Sequence, residues 1–190
     1  IDKFMFQDKQ TNPDLSDLKN IPKLSDLEQF ELCAEIRKYK EELRKKNPNS
    51  PEKGYTININ GFKENIYKDA ENLGKYLGTR VISEFLTTLK LVGNSSPNIF
   101  RLPDFPYQIC YMYNLRSLTF TGHDVLSIPD SIENLRSLEV LDLSKNKLIS
   151  FPSGVAFLSK LYYLDLSDNF INEIPGDIYQ ILSARAPKFY

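Results

Sequence analysis

Leu138 to Lys160 reads LEVLDLSKNKLISFPSGVAFLSK, and the segments on either side align with it without gaps. LRSLTFTGHDVLSIPDSIENLRS starts at Leu115 and LYYLDLSDNFINEIPGDIYQILS at Leu161, so three in-phase copies stand 23 residues apart. A fixed period of this length is the signature of stacked structural units. Leu138, Leu141 and Leu143 point inward from a short strand, as two-residue alternation requires. Leu148, Phe151, Val155 and Leu158 fill the same coil from its convex side. One coil cannot bury this stripe alone, so the coils must stack. Asn146 and Asn169 stand where the chain leaves the strand, and the first copy carries His123 there. The prolines after Ile128, Phe151 and Ile174 fix φ and favour an extended convex segment over a helix.

A fourth copy can be read backwards from Leu115. Leu102, Phe105-Pro106, Ile109 and Met112 precede Val125, Ile128-Pro129, Ile132 and Leu135 by 23 residues. Val92 to Phe100 does not match, so the array opens with a half-repeat. It stops after Ser183, where Ala184 and Pro187 take the places of Leu161 and Leu164. A proline there is expected to spoil a strand ladder. Three full copies lie near the minimum for a stable array, so the N-terminal half is expected to support it.

The pattern L-x-x-L-x-L-x-x-N-x-L resembles that of leucine-rich repeats. The period and the Ile/Phe-Pro pair in each copy are similar to the Ras-group class. The resemblance implies an α/β fold: a short right-handed leucine-rich-repeat solenoid with parallel strands on its concave face, preceded by a helical N-terminal domain. It also implies that Asn146 and Asn169, with His123 as a substitute, form a ladder bonding buried backbone groups of their own and neighbouring coils. His123, near the start of the array, is expected to reach water. Outward strand residues then stack as Ser117/Val140/Tyr163, Thr119/Asp142/Asp165 and Thr121/Ser144/Ser167, with Gly122/Lys145/Asp168 at the rim. This is the expected partner-binding face. Tyr163 is its best anchor, since tyrosine is enriched at binding hot spots. The stacked Asp142 and Asp165 either meet a basic partner or keep the strands soluble. Three strands at a spacing of about 4.8 Å would make a face only on the order of 15 Å across.

The N-terminal half carries weaker signals. Asn12-Pro13-Asp14 and Ile21-Pro22 read as turns. Ser25-Asp26-Leu27-Glu28 is a capping box opening a helix with Leu32, Ile36, Tyr39 and Leu43 on one face, ending near Asn47-Pro48. Gly54 to Ile59 is a candidate strand. A second helix runs from Phe62 through Ile66, Ala70 and Leu73 to Gly78. Thr79 then caps a third, through Val81, Ile82, Phe85, Leu86 and Leu89, closed by Gly93-Asn94. The expected division is a helical domain or cap over 1–91 and a repeat domain over 92–190. The latter comprises the half-repeat 92–114, repeats 115–137, 138–160 and 161–183, and the tail 184–190.

Composition narrows the function. Net charge is −1; residues 1–98 carry 16 Lys and Arg against 15 Asp and Glu, and 99–190 carry 8 against 10. Neither half is basic enough for phosphate-driven nucleic-acid binding or a polybasic membrane anchor. No run of 18 apolar residues is present to span a bilayer. Cys33 and Cys110 have no metal-ligand spacing and read as reduced cysteines, with one disulfide between the halves as the alternative. The lone His123 has no marked nucleophile or carboxylate partner, and no cofactor motif is present, so an enzyme is not expected. The first residue is Ile1, so the chain reads as part of a longer or processed protein. The expected function is monomeric protein–protein interaction in a cytoplasm. Fifteen asparagines and no tryptophan suit an AT-rich genome. They keep open a secreted bacterial effector acting in a host cytosol. A scaffold within a longer enzyme or receptor is the remaining alternative.

Overall fold

The computed structural model describes residues 25, 33–34, 37–38, 41–42, 44–45, 48, 55–60, 78–93, 101–185 and 188–189. The expected turns near Pro13 and Pro22 and the helix from Phe62 to Leu73 lie outside these. Of the first expected helix, residues 33–34, 37–38, 41–42 and 44–45 are described, and all are helical.

One parallel sheet organises the chain. Its strands are β1 (Tyr55–Asn60), β2 (Leu86–Val92), β3 (Ser117–Thr121), β4 (Val140–Asp142), β5 (Tyr163–Asp165) and β6 (Lys188–Phe189), hydrogen-bonded in sequence order. The candidate strand at 54–59 is therefore a strand. The three repeats are in the expected register: Leu118 pairs with Leu141 and Leu141 with Leu164. Leu138, Leu141, Leu143, Leu148, Phe151, Val155 and Leu158 are all buried in one continuous core. Leu102, Phe105, Ile109 and Met112 are buried with them, as the half-repeat required.

The third expected helix is corrected. Helix α1 spans only Arg80–Phe85; Leu86 has ψ 130°, and the chain continues as β2. Val81, Ile82, Phe85, Leu86 and Leu89 do fit a helical period. The alternation of buried Leu89 and Leu91 around exposed Lys90 prevails because it lets this segment join the ladder of β3. Thr79 holds the N-cap position, but its side chain makes no capping bond; its carbonyl accepts from the Ser83 N–H at 3.0 Å. Gly93 ends a strand, not a helix. Its N–H donates to the Thr121 carbonyl at 2.7 Å, and a Cβ there would lie 2.1 Å from the Gly122 oxygen. The sheet thus runs across the expected boundary at residue 91.

The proline expectation also needs revision. Pro106, Pro129 and Pro152 are themselves extended, but each is the N-cap of a five-residue 3₁₀ helix, Tyr107–Tyr111, Asp130–Asn134 and Ser153–Phe157. Proline at a helix start loses no hydrogen bond, because the first N–H groups have no partner within the helix. After Pro175 the convex segment lengthens into α2 (Gly176–Arg185). The expected stop after Ser183 is corrected: a last strand, β6, pairs with β5 two positions beyond the 23-residue period. Pro187 precedes β6, where the Lys188 N–H donates to the Tyr162 carbonyl at 2.9 Å.

Candidate functional site

The solvent side of the sheet is built by alternation. Inward Leu89/Leu91, Leu118/Phe120 and Leu141/Leu143 are buried. Their intervening neighbours stack across the strands in register. One row runs Thr88–Ser117–Val140–Tyr163 and the next Lys90–Thr119–Asp142–Asp165. Ser117, Thr119, Val140, Asp142, Tyr163 and Asp165 are half-buried, and Lys145, Ser167 and Asp168 are exposed. Thr121 and Ser144 are 8% and 7% exposed, so the structure removes them from the accessible face.

Thr88 and Lys90 belong to this face and were missed. Residues 86–94, LTTLKLVGN, match L-x-x-L-x-L-x-x-N. They stand 29 residues before their counterparts from Leu115, not 23, as the pairing of Leu89 with Leu118 confirms. An ungapped alignment cannot see a coil with six extra residues. With β1 and β6 included, six strands make a face about 29 Å wide rather than 15 Å.

The stacked carboxylates have local work. Asp142 Oδ1 accepts from the Ser144 N–H at 3.0 Å and hydroxyl at 2.7 Å. Asp165 Oδ1 accepts from the Ser167 N–H at 2.9 Å and hydroxyl at 2.6 Å. Each brace ends its strand ahead of a left-handed residue, Lys145 at φ 58° and Asp168 at φ 55°; Gly122 holds the equivalent position at φ 75°. Tyr163 leans its hydroxyl toward Asp165 Oδ2 at 3.4 Å.

Beneath the rim lies the ladder. Asn146 Oδ1 accepts from the His123 N–H at 3.0 Å, and its Nδ2 donates to the Phe120 and Leu143 carbonyls at 2.8 Å. Asn169 repeats the Nδ2 bonds, to the Leu143 carbonyl at 3.0 Å and the Leu166 carbonyl at 2.9 Å, while its Oδ1 accepts from the Leu148 N–H at 3.0 Å, two residues further along the chain than the equivalent of His123. His123 serves the third rung: Nδ1 accepts from the Leu102 N–H and Nε2 faces the Leu91 carbonyl, both at 3.3 Å. It is 1% exposed, so the expectation that it reaches water fails. Burial pushes its pKa down to about 4, against the Leu91 hydrogen bond and Asp124, which favour the cation.

Beside the ladder, Arg101, Asp124 and Lys147 stand at equivalent positions of successive coils. Lys147 reaches Asp124 Oδ1 at 2.9 Å, and Arg101 reaches the same oxygen at 3.4 Å. The Lys147 hydrogen bond, foremost, holds the Asp124 carboxyl below the usual range. Cys33 and Cys110 are both buried, and no disulfide joins them. Burial pushes the Cys110 thiol up, although Ser131 hydrogen-bonds to it. Among the described residues no three His, Cys, Asp or Glu side chains are grouped to hold a metal, and no helix is long and apolar enough to cross a membrane.

Residues 113–171 match the leucine-rich-repeat family model. A chain of the BIR3–SERK2 complex from Arabidopsis thaliana is similar at 31% identity and TM-score 0.45, over 58% of this chain and 54% of that one. Internalin C2 from Listeria monocytogenes is similar at 20% identity and TM-score 0.46, over 60% of this chain and 45% of its own. A leucine-rich-repeat protein of Leptospira interrogans is similar at 22% identity and TM-score 0.42, over 58% and 31%. This chain thus spans about half or less of the length of these structures. No curated protein matches it. The period, the parallel register, the amide ladder and the family match agree: residues 113–171 are a leucine-rich-repeat solenoid.

Proposed function

We propose that this chain is a protein-binding module whose concave sheet face receives the partner. The observation that carries this reading is the pair of outward rows Thr88–Ser117–Val140–Tyr163 and Lys90–Thr119–Asp142–Asp165. They are mounted on strands whose alternate side chains are locked in a leucine core. A partner meeting them finds groups already ordered, so less entropy is lost on binding. The face combines an amphipathic tyrosine, hydroxyls and a change from positive at Lys90 to negative at Asp142 and Asp165. Such a pattern selects a partner by charge order as well as shape. The short sheet leaves part of a standard interface, about 800 Å² per partner, to the rims, where Lys145 and Asp168 are exposed.

The test compares wild type with a Lys90→Glu/Thr119→Arg/Tyr163→Ala variant in a quantitative pull-down, after circular dichroism shows equal folding. Asp142 and Asp165 are left intact because they brace the turns. Loss of an enriched protein with the variant supports the concave face. Retention of the same proteins moves recognition to the helical half or the convex side.

A further inference from the structure

Two seams of the solenoid are closed by asparagine amides, which do not titrate. Asn146 joins the coil from Leu115 to the coil from Leu138, and Asn169 joins that coil to the one from Leu161. The seam before them is closed by an imidazole. His123 lies against Gly93, where a Cβ would come 3.0 Å from Nδ1, and its ring sits 4.3 Å from that of Phe120. The Leu102 N–H can only donate, so Nδ1 must be unprotonated; Nε2 then carries the hydrogen toward the Leu91 carbonyl. A proton added to Nδ1 would set donor against donor and leave a cation in a buried site.

We infer that His123 is an acid-sensitive joint: protonating its ring loosens the seam between the coil that begins at Leu86 and the coil that begins at Leu115, while the seams closed by Asn146 and Asn169 hold. The charged groups around the ring do not reverse this. Asp124 favours the imidazolium and Arg101 opposes it, and burial outweighs both. Asp124 itself is held ionised by Lys147 and Arg101, so it stays charged while the histidine titrates. The neighbour on the other side, Asn146, presents no titrating group; it touches the His123 backbone through its own side-chain oxygen. Other bonds cross the same seam, including Gly93 N–H to Thr121 and Asp124 N–H to Leu102. Acid therefore loosens the joint without dissolving each coil.

The sign follows from proton linkage. The unfolded imidazole, at 6.5, binds a proton before the folded one, at about 4. The stabilising contribution is complete above pH 6.5 and is lost as pH falls toward 4. Between pH 7 and pH 5 the folding equilibrium constant of wild type should fall about 20-fold more than that of His123→Asn, which supplies a non-titrating ladder side chain.

The test uses the full chain. His123 is its only histidine, so its Cε1–H resonance needs no assignment by mutation. A titration midpoint below 5 in the folded protein supports the inference, and a midpoint at or above 6 overturns it, whether or not the variant folds. Amide exchange, corrected for its intrinsic pH dependence, then locates the event. The Leu102 amide, bonded to His123, should lose protection at pH 5 while the Leu148 amide, bonded to Asn169, keeps it. Equal loss at both, or parallel stability curves for wild type and variant, would show that no acid-sensitive joint exists.

Discussion

Asn146→Ala removes the side chain that closes the middle seam, and the structure sets what that costs. Asn146 is 4% exposed, so water does not replace it. The His123 N–H and the Phe120 carbonyl lose the partner that Asn146 supplies, whereas the Leu143 carbonyl keeps its bond from Asn169. Two buried groups at about 1–3 kcal/mol each, plus a small void, give a loss on the order of 4 kcal/mol. That is a large share of the roughly 5–15 kcal/mol that holds a domain together. Asn169→Ala makes the internal control. Its amide likewise makes one acceptor bond and two carbonyl bonds but is only partly buried, so water can take over, and the expected loss is about 1–2 kcal/mol. Urea unfolding of wild type and both variants, read at constant m, measures the difference. An Asn146→Ala loss no greater than that of Asn169→Ala would refute the claim that the ladder matters through burial of its partners.

Leu141→Ala should cost about 2–5 kcal/mol by opening a cavity at a fully buried site, and an unchanged urea midpoint would remove Leu141 from the core. Gly154→Ala should cost about 1–3 kcal/mol, because its Cβ would lie 2.4 Å from the Asp130 carbonyl oxygen. Gly176→Ala meets nothing within 4 Å and should leave the midpoint unchanged or slightly raised; equal effects of the two glycine changes would contradict the packing between convex segments. Arg37 pairs with both carboxylate oxygens of Glu84 at 2.7 Å but is half-exposed. Arg37→Ala should therefore cost only about 0.5 kcal/mol in low salt and nothing measurable in high salt; a loss above 2 kcal/mol would make the pair a structural clamp.

The repeats were legible because their core residues carry two signals at once, a 23-residue period and strand alternation, as Leu118, Leu141 and Leu164 show. The coil before them was not, although LTTLKLVGN carries the repeat pattern. Its six extra residues break the period, and Val81 to Leu89 also satisfies a helical stripe. Only pairing with Ser117–Thr121 decides between the two. The outward rows followed directly from alternation. Burial of Thr121 and Ser144 did not, because it depends on where each strand turns into the rim. The bracing of Asp142 and Asp165 by serines two residues on was open to a sequence reading, since the D-x-S spacing is present in both copies. It explains those aspartates without a partner and shifts the weight of the proposed binding face toward Lys90, Thr119, Val140 and Tyr163.

The concave face is tested most directly by site-specific photocrosslinking in the lysate that yields the enriched protein. A benzophenone side chain is placed at Thr119 on the sheet, at Phe157 on the convex side, or at Ile149 on the lateral edge, the last two being 61% and 60% exposed. The account predicts that the partner is captured from position 119 and not from 157 or 149. Capture from 157 or 149 with none from 119 would contradict it.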